Sequence, residues 1–346
     1  MRRIGSVLLV TAATALAAPA PATGPVAPAQ SAAAFQSPQA SRAPMLAAAR
    51  AGKRLVSVGD YGTVLLSDDN GQSWRQASRV ATRETLTAVS FVDDKLGFAV
   101  GHGGVVLAST DGGENWTVRH RAGPEVVLFS VHFANAQEGL AVGAFGHAMQ
   151  TRDGGSHWHT LTLVQGEQAD RHLYQVFVGP NATLWVTAEA GGLFRSDDGG
   201  NTFTAVKLPY KGSIWGGLAL KDGTLMVWGM RGHVLLSADQ GRSWRDVHSG
   251  TDQAFTAGLQ RPDGELVLVG LGGVVARSRD GGQTFSTQVR PERQSHTALI
   301  ATEGGLPQSF TLTGLGGPQV SASSLAVSPP TSFTDSLTHS FNWSSS

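Results

Sequence analysis

Six aspartates stand at equivalent positions in this chain, and their recurrence is the first sign of chemistry. Each sits in the pattern S/T-x-D-x-G-x-x-W/F: Ser67-Asp69-Gly71-Trp74, Ser109-Asp111-Gly113-Trp116, Thr151-Asp153-Gly155-Trp158, Ser196-Asp198-Gly200-Phe203, Ser237-Asp239-Gly241-Trp244 and Ser278-Asp280-Gly282-Phe285. Carboxylates at a regular period invite a catalytic or metal-binding assignment. A turn clamp fits better, because a short carboxylate accepts hydrogen bonds from its own turn's backbone, and a glycine two residues on permits left-handed geometry. The spaced oxygen ligands of a calcium loop are missing. No metal and no cofactor are expected.

Other residue types offer further candidates. His102, His147 and His233 fall in or beside corresponding turns, but at unequal offsets, which argues against a shared zinc. Tyr174 beside Arg171 is the one tyrosine that a sialidase-type nucleophile could use, and Glu189 with Asp60 or Asp170 could pair as glycosidase carboxylates. Glycoside hydrolysis, sialidase-like or by two carboxylates, is the alternative to a non-enzymatic module. A third possibility is a small-ligand site lined by Trp215, Tyr61 or Phe145.

The elements that would position these groups follow from the period. The first residues of the six motifs are 42, 42, 45, 41 and 41 residues apart. Ahead of each lies a second repeated block: SVGDYGTVLLS, AVGHGGVVLAS, AVGAFGHAMQT, VTAEAGGLFRS, VWGMRGHVLLS and LVGLGGVVARS. A seventh copy, LTGLGGPQVSA, spans Leu312 to Ala322 without an intact aspartate motif. Alternating apolar residues around a glycine turn read as a hairpin, strands B and C. An upstream run such as LTAVSF from Leu86 supplies strand A, and the aromatic of the motif opens strand D. Four strands per unit at this period specify an all-β, seven-bladed β-propeller with four-stranded antiparallel blades and Asp-box C–D turns. The propeller is expected over residues 44–329, with a disordered tail at 330–346. Either terminus could complete the last blade.

The N-terminus reads as an export signal over residues 1–17. Arg2 and Arg3 precede an apolar stretch and an Ala15-Leu16-Ala17 cleavage site. Residues 18–43 form an Ala/Pro-rich linker, expected to act as a flexible tether. The location is therefore periplasmic or otherwise extracytoplasmic. Lys plus Arg and Asp plus Glu both number 26, so there is no basic surplus for nucleic acid. With no cysteine, disulfides and thiolate metal sites are excluded.

The block h-x-V-G-x-x-G-x-h-h-x-S-x-D-G-G-x-x-W resembles the photosystem II stability/assembly factor-like family of the BNR (Asp-box) superfamily, over roughly residues 50–320. That resemblance implies a seven-bladed propeller and a binding role, since its photosynthetic members bind a newly made reaction-centre protein. A monomer is expected, with a protein partner that is a membrane-complex subunit. Function is sought where B–C turns and D–A loops depart from the repeat. Arg83, Arg171, Lys211 and Arg293 precede inner strands and are expected to crowd the channel mouth, where they could hold a carboxylate or an anionic peptide. Tyr61, His102, Glu189 and Arg231 in the B–C turns complete the candidate binding set.

Overall fold

The structure is a computed structural model, and it describes residues 32–302, 310–314 and 316–321. The export segment, the first part of the linker and the 330–346 tail lie outside these residues. The described residues form an all-β propeller of four-stranded antiparallel blades. Their only helical pieces are short 3-10 turns.

Strand A begins at Met45, Leu86, Leu128, Leu173, Ile214 and Phe255 in blades 1 to 6. Six sheets run A-B-C-D in chain order, and blade 2 carries a fifth strand, Arg79–Val80, alongside its strand D. The expectation of seven four-stranded blades holds for six of them. A last sheet has three described strands, His296–Ala301, Phe310–Gly314 and Gln319–Ser321. Its second and third strands are the seventh repeat copy, as read from the sequence.

Strands B and C bury nearly every residue, as in Gly97–Gly101 and Val105–Ser109, because blades cover both of their faces. Strand D lies outermost and alternates, as in Asn115–Arg121. The apolar positions that look alike in sequence thus differ in burial by their radius in the ring.

Each strand A carries a bulge at its second residue. The register shifts between Met45 and Ala47, Leu86 and Ala88, Leu128 and Ser130, Leu173 and Gln175, Ile214 and Gly216, Phe255 and Ala257, and His296 and Ala298. A bulge re-aims its residue, here into the central channel. In three sheets that residue is a threonine that clasps the next sheet. Thr87 Oγ1 donates to Leu128 O at 2.5 Å, Thr256 Oγ1 to His296 O at 2.5 Å, and Thr297 Oγ1 to Met45 O at 2.6 Å. The last of these joins the final sheet to the first, so strand A packs against strand A at the ring joint.

The S/T-x-D-x-G turns close by local hydrogen bonds. In blade 2, Ser109 Oγ donates to Asp111 Oδ1 at 2.8 Å and accepts from Gly113 N at 2.9 Å. Asp111 Oδ1 accepts from Asn115 N at 2.9 Å, and Trp116 Nε1 donates to Gly113 O at 2.8 Å. The hydroxyl and carboxylate bonds recur around Asp69, Asp153, Asp198, Asp239 and Asp280, and the indole bond in the turns that carry Trp74, Trp158 and Trp244. Ser109→Ala would strand the buried Gly113 N–H, at a cost of about 1–3 kcal/mol. A midpoint shift in urea unfolding measures it, and no shift would deny the turn its clamp.

The stretch expected to be a flexible tether up to residue 43 is partly fixed. Ala34 N donates to Val80 O at 2.9 Å, Gln36 Nε2 to Ala77 O at 2.9 Å, and Ser37 N to Gln76 Oε1 at 3.0 Å. The segment lies along blade 1, not along the third strand of the last sheet. No fourth strand for that sheet is found among the described residues.

Candidate functional site

The B–C turns and D–A loops meet on one face, as the alternation of strands requires. Each B–C turn donates to the backbone just before its own strand A: Asp60 N to Pro44 O, His102 N to Thr85 O, Ala144 N to Val127 O, Glu189 N to His172 O, Met230 N to Ser213 O and Leu271 N to Ala254 O. The turn glycine then abuts the next D–A loop. A Cβ on Gly146 would lie 1.8 Å from Ala169 O, and one on Gly232 would lie 2.0 Å from Thr251 O. Only glycine allows that approach, which accounts for the repeated turn glycine.

The residue before that glycine is left-handed and points outward. Tyr61 (φ 54°), Phe145 (φ 53°) and Arg231 (φ 53°) occupy it, with Tyr61 75% and Phe145 74% exposed. Large side chains held at positive φ are strained and poorly buried, a pattern typical of functional positions. His102 lies exposed in the corresponding turn of blade 2. Glu189 is half-buried, and its Oε2 accepts from His172 N at 3.4 Å.

The four expected cations divide three to one. Arg83 is occupied by the chain itself: its Nε donates to Ala33 O at 2.9 Å, and its guanidinium lies 3.6 Å over the Phe35 ring. Arg171, Lys211 and Arg293 make no ion pair among the described residues, and neither does Arg231. Glu292 instead pairs with Arg290, which holds its carboxyl below the usual range.

The three histidines go to separate places. His147 is half-buried, and that partial burial, with His120 nearby, lowers its pKa. His233 contacts Asp246 at 2.8 Å and stacks on Tyr210 with ring centroids 3.9 Å apart. Among the described residues no cluster of three or more metal-binding groups is found. Tyr174 is half-buried, and burial together with Glu189 raises its pKa against a hydrogen bond from Ser213. A nucleophilic tyrosine requires the opposite shift.

The six turn aspartates lie within their own hydrogen bonds. Ser73, His157, Thr202, Ser243 and Thr284 hold Asp69, Asp153, Asp198, Asp239 and Asp280 down to about 2. Carboxylates so fixed are poor proton donors or acceptors near neutrality.

The channel mouth is legible in the sequence as a cationic site, but the aromatic lining of the channel below it is not. A cavity of about 380 Å³ lies on the axis, lined by the seven bulge residues Leu46, Thr87, Phe129, Tyr174, Trp215, Thr256 and Thr297. Around it, Phe145 N donates to His172 Nδ1 at 3.0 Å, and the Phe145 and His172 rings meet edge to face at 4.7 Å. Of these, Trp215, Tyr174 and Phe145 stand out in the sequence only one at a time. Aligning the second residue of every strand A was the signal that would have grouped Phe129, Tyr174 and Trp215.

Residues 121–247 match the family model described as Photosynthesis system II assembly factor YCF48. No curated protein matches the chain. Among solved structures, YCF48 bound to D1 peptide is similar with a TM-score of 0.66 and 19% identity, over 83% of this chain and 95% of that one. YCF48 from Cyanidioschyzon merolae gives 0.64 and 18%, over 84% and 98%. An ancestral GH74 enzyme gives 0.64 and 16%, over 82% of this chain and 45% of that one. At these identities the structural likenesses show the fold, which a glycosidase and an assembly factor share.

Proposed function

We propose, from the likeness to the photosystem II assembly-factor-like family of BNR propellers that the match over residues 121–247 establishes, that this chain is a non-enzymatic binding module. In this reading the three-stranded last sheet is the seventh blade, and the S/T-x-D-x-G turns are Asp boxes that serve the ring. The chain is exported by residues 1–17 and works outside the cytoplasm as a monomer. It holds a polypeptide segment of a membrane-complex subunit and helps to assemble or stabilise that complex.

The observation that carries this reading is the division of labour between faces. The Asp-box turns satisfy their own hydrogen bonds. The opposite face presents Arg171, Lys211, Arg231 and Arg293 without ion pairs among the described residues, beside Tyr61 and Phe145 at strained, exposed positions. Unpaired cations on different blades suit a carboxylate or an acidic peptide, and guanidinium groups bind carboxylates in two-point fashion. The YCF48 structure with a D1 peptide supports a peptide as the class of ligand.

Charge reversal tests it. Arg171→Glu with Lys211→Glu should weaken binding of a short acidic peptide by about tenfold or more, and remove its dependence on salt. Thermal melting should stay unchanged, since both side chains lack partners that the fold needs. Equal binding by wild type and variant would remove this face from the role.

A further inference from the structure

Seven equivalent bulge residues ring the channel: three threonines, Leu46 in blade 1, and three aromatic residues on consecutive blades. Blades 2 and 6 and the last sheet have Thr87, Thr256 and Thr297, each bonded to the next sheet's backbone. Blades 3, 4 and 5 have Phe129, Tyr174 and Trp215 instead, all half-buried against the cavity. These three neighbouring blades give up the threonine clasp. Neighbouring inner strands bond there through other residues, Val176 N donating to Ser130 Oγ at 3.1 Å and Gly217 N to Gln175 Oε1 at 2.9 Å, which frees the bulge positions to carry aromatic rings that line the cavity.

The aromatic arc is ordered. Phe129 and Tyr174 stack with ring centroids 6.1 Å apart at 26°, and His172 meets them edge-on at 6.2 and 6.4 Å. Deeper in the same cavity, Trp228 is 2% exposed and its Nε1 has no hydrogen-bond partner. Glycine on the inner strand makes room for that indole: a Cβ on Gly216 would lie 2.6 Å from Trp228 Cζ2. A buried N–H left without an acceptor costs stability unless a bound group satisfies it.

We propose that this cavity is a pocket for one tyrosine-type aromatic side chain of the bound polypeptide. Its ring lies against Phe129, Tyr174 and Trp215, and its phenolic oxygen accepts from Trp228. The volume of about 380 Å³ falls in the range of small-ligand sites and exceeds what one aromatic side chain needs. Arg171, on the loop leading to Tyr174, and Lys211, on the loop leading to Trp215, place positive charge beside the arc for neighbouring acidic residues. The inference rests on the polypeptide-binding reading above and adds what that polypeptide must contain.

Two probes separate the two ideas. N-acetyl-tyrosinamide, at millimolar concentration, should shift the indole N–H resonances of Trp215 and Trp228, while N-acetyl-alaninamide should not. In a matched pair of short acidic peptides, the one with a central tyrosine should bind about tenfold tighter than the one with alanine. Trp215→Thr, which installs the residue that blades 2 and 6 carry, should bring that ratio near one without lowering the melting temperature. Arg171→Glu with Lys211→Glu should weaken both peptides and leave the ratio intact. No indole shift, or a ratio that Trp215→Thr does not change, would overturn the pocket while leaving the charged face standing. Indole shifts with neither peptide bound would instead overturn the polypeptide as occupant.

Discussion

Trp116→Ala should lower the folding free energy by about 3–5 kcal/mol, the range for removing a large aromatic side chain from a packed core. Trp116 is fully buried, whereas its counterparts Trp74, Trp158 and Trp244 are only half-buried. The difference comes from strand Arg79–Val80, which pairs in parallel with Asn115 and Trp116, and from Ala81 N, which donates to Trp116 O at 3.2 Å. That added strand seals the outer edge of blade 2. The indole packs edge-on to Phe91 at 5.9 Å among Val56, Leu66, Val80 and Leu107, so it bonds blade 1 to blade 2. Truncation opens a cavity lined from both blades and strands the Gly113 carbonyl. Urea unfolding measures the loss, with Trp74→Ala as the comparison, expected to cost clearly less. A Trp116 effect no larger than that of Trp74 would show that the added strand does not seal the blade.

The second large effect is on pH dependence. Six sheets start strand A with a fully buried or nearly buried apolar residue: Met45, Leu86, Leu128, Leu173, Ile214 and Phe255. The last sheet starts with His296, 3% exposed, whose burial brings its pKa down from 6.5 to about 4, aided by Arg290 and opposed by Glu292. Because the folded value lies below the unfolded one, the unfolded chain takes up the proton first as pH falls. Stability is therefore whole above pH 6.5 and declines between 6.5 and 4, by about 3 kcal/mol at most for one group. His296→Leu, the residue type of the other sheets, should flatten that window. A further loss between about pH 4 and 2 should remain in the variant, since there the turn aspartates are protonated. Melting temperatures across pH 7 to 3 decide it. Parallel curves for wild type and His296→Leu would refute the assignment.

The sequence by itself determined what is closed by short-range bonds. The motif around Asp111 needs only residues 109 to 116 to form its hydrogen bonds, so the pattern of types identifies the turn wherever it lies. The B–C turn is likewise local, with two successive left-handed residues of which the second is glycine. Repetition of these units, each unable to bury its own faces, then implied the ring.

Only the tertiary structure decided what depends on bonds that span a repeat. Thr87 reaches Leu128, 41 residues on, and the bulge that aims it there leaves no mark in local residue types. The aromatic arc therefore became visible only when three inner strands were brought side by side. Arg83 looked equal to Arg171 and Lys211 until Ala33 and Phe35, some 50 residues earlier, were found upon it. The described end of the expected tether is fixed for the same reason: its polar and alanine-rich residues bury little of their own, but their backbone groups pair with Val80 and Gln76. Composition reports what a segment can bury, whereas hydrogen bonds to a partner strand depend on which strand is brought alongside.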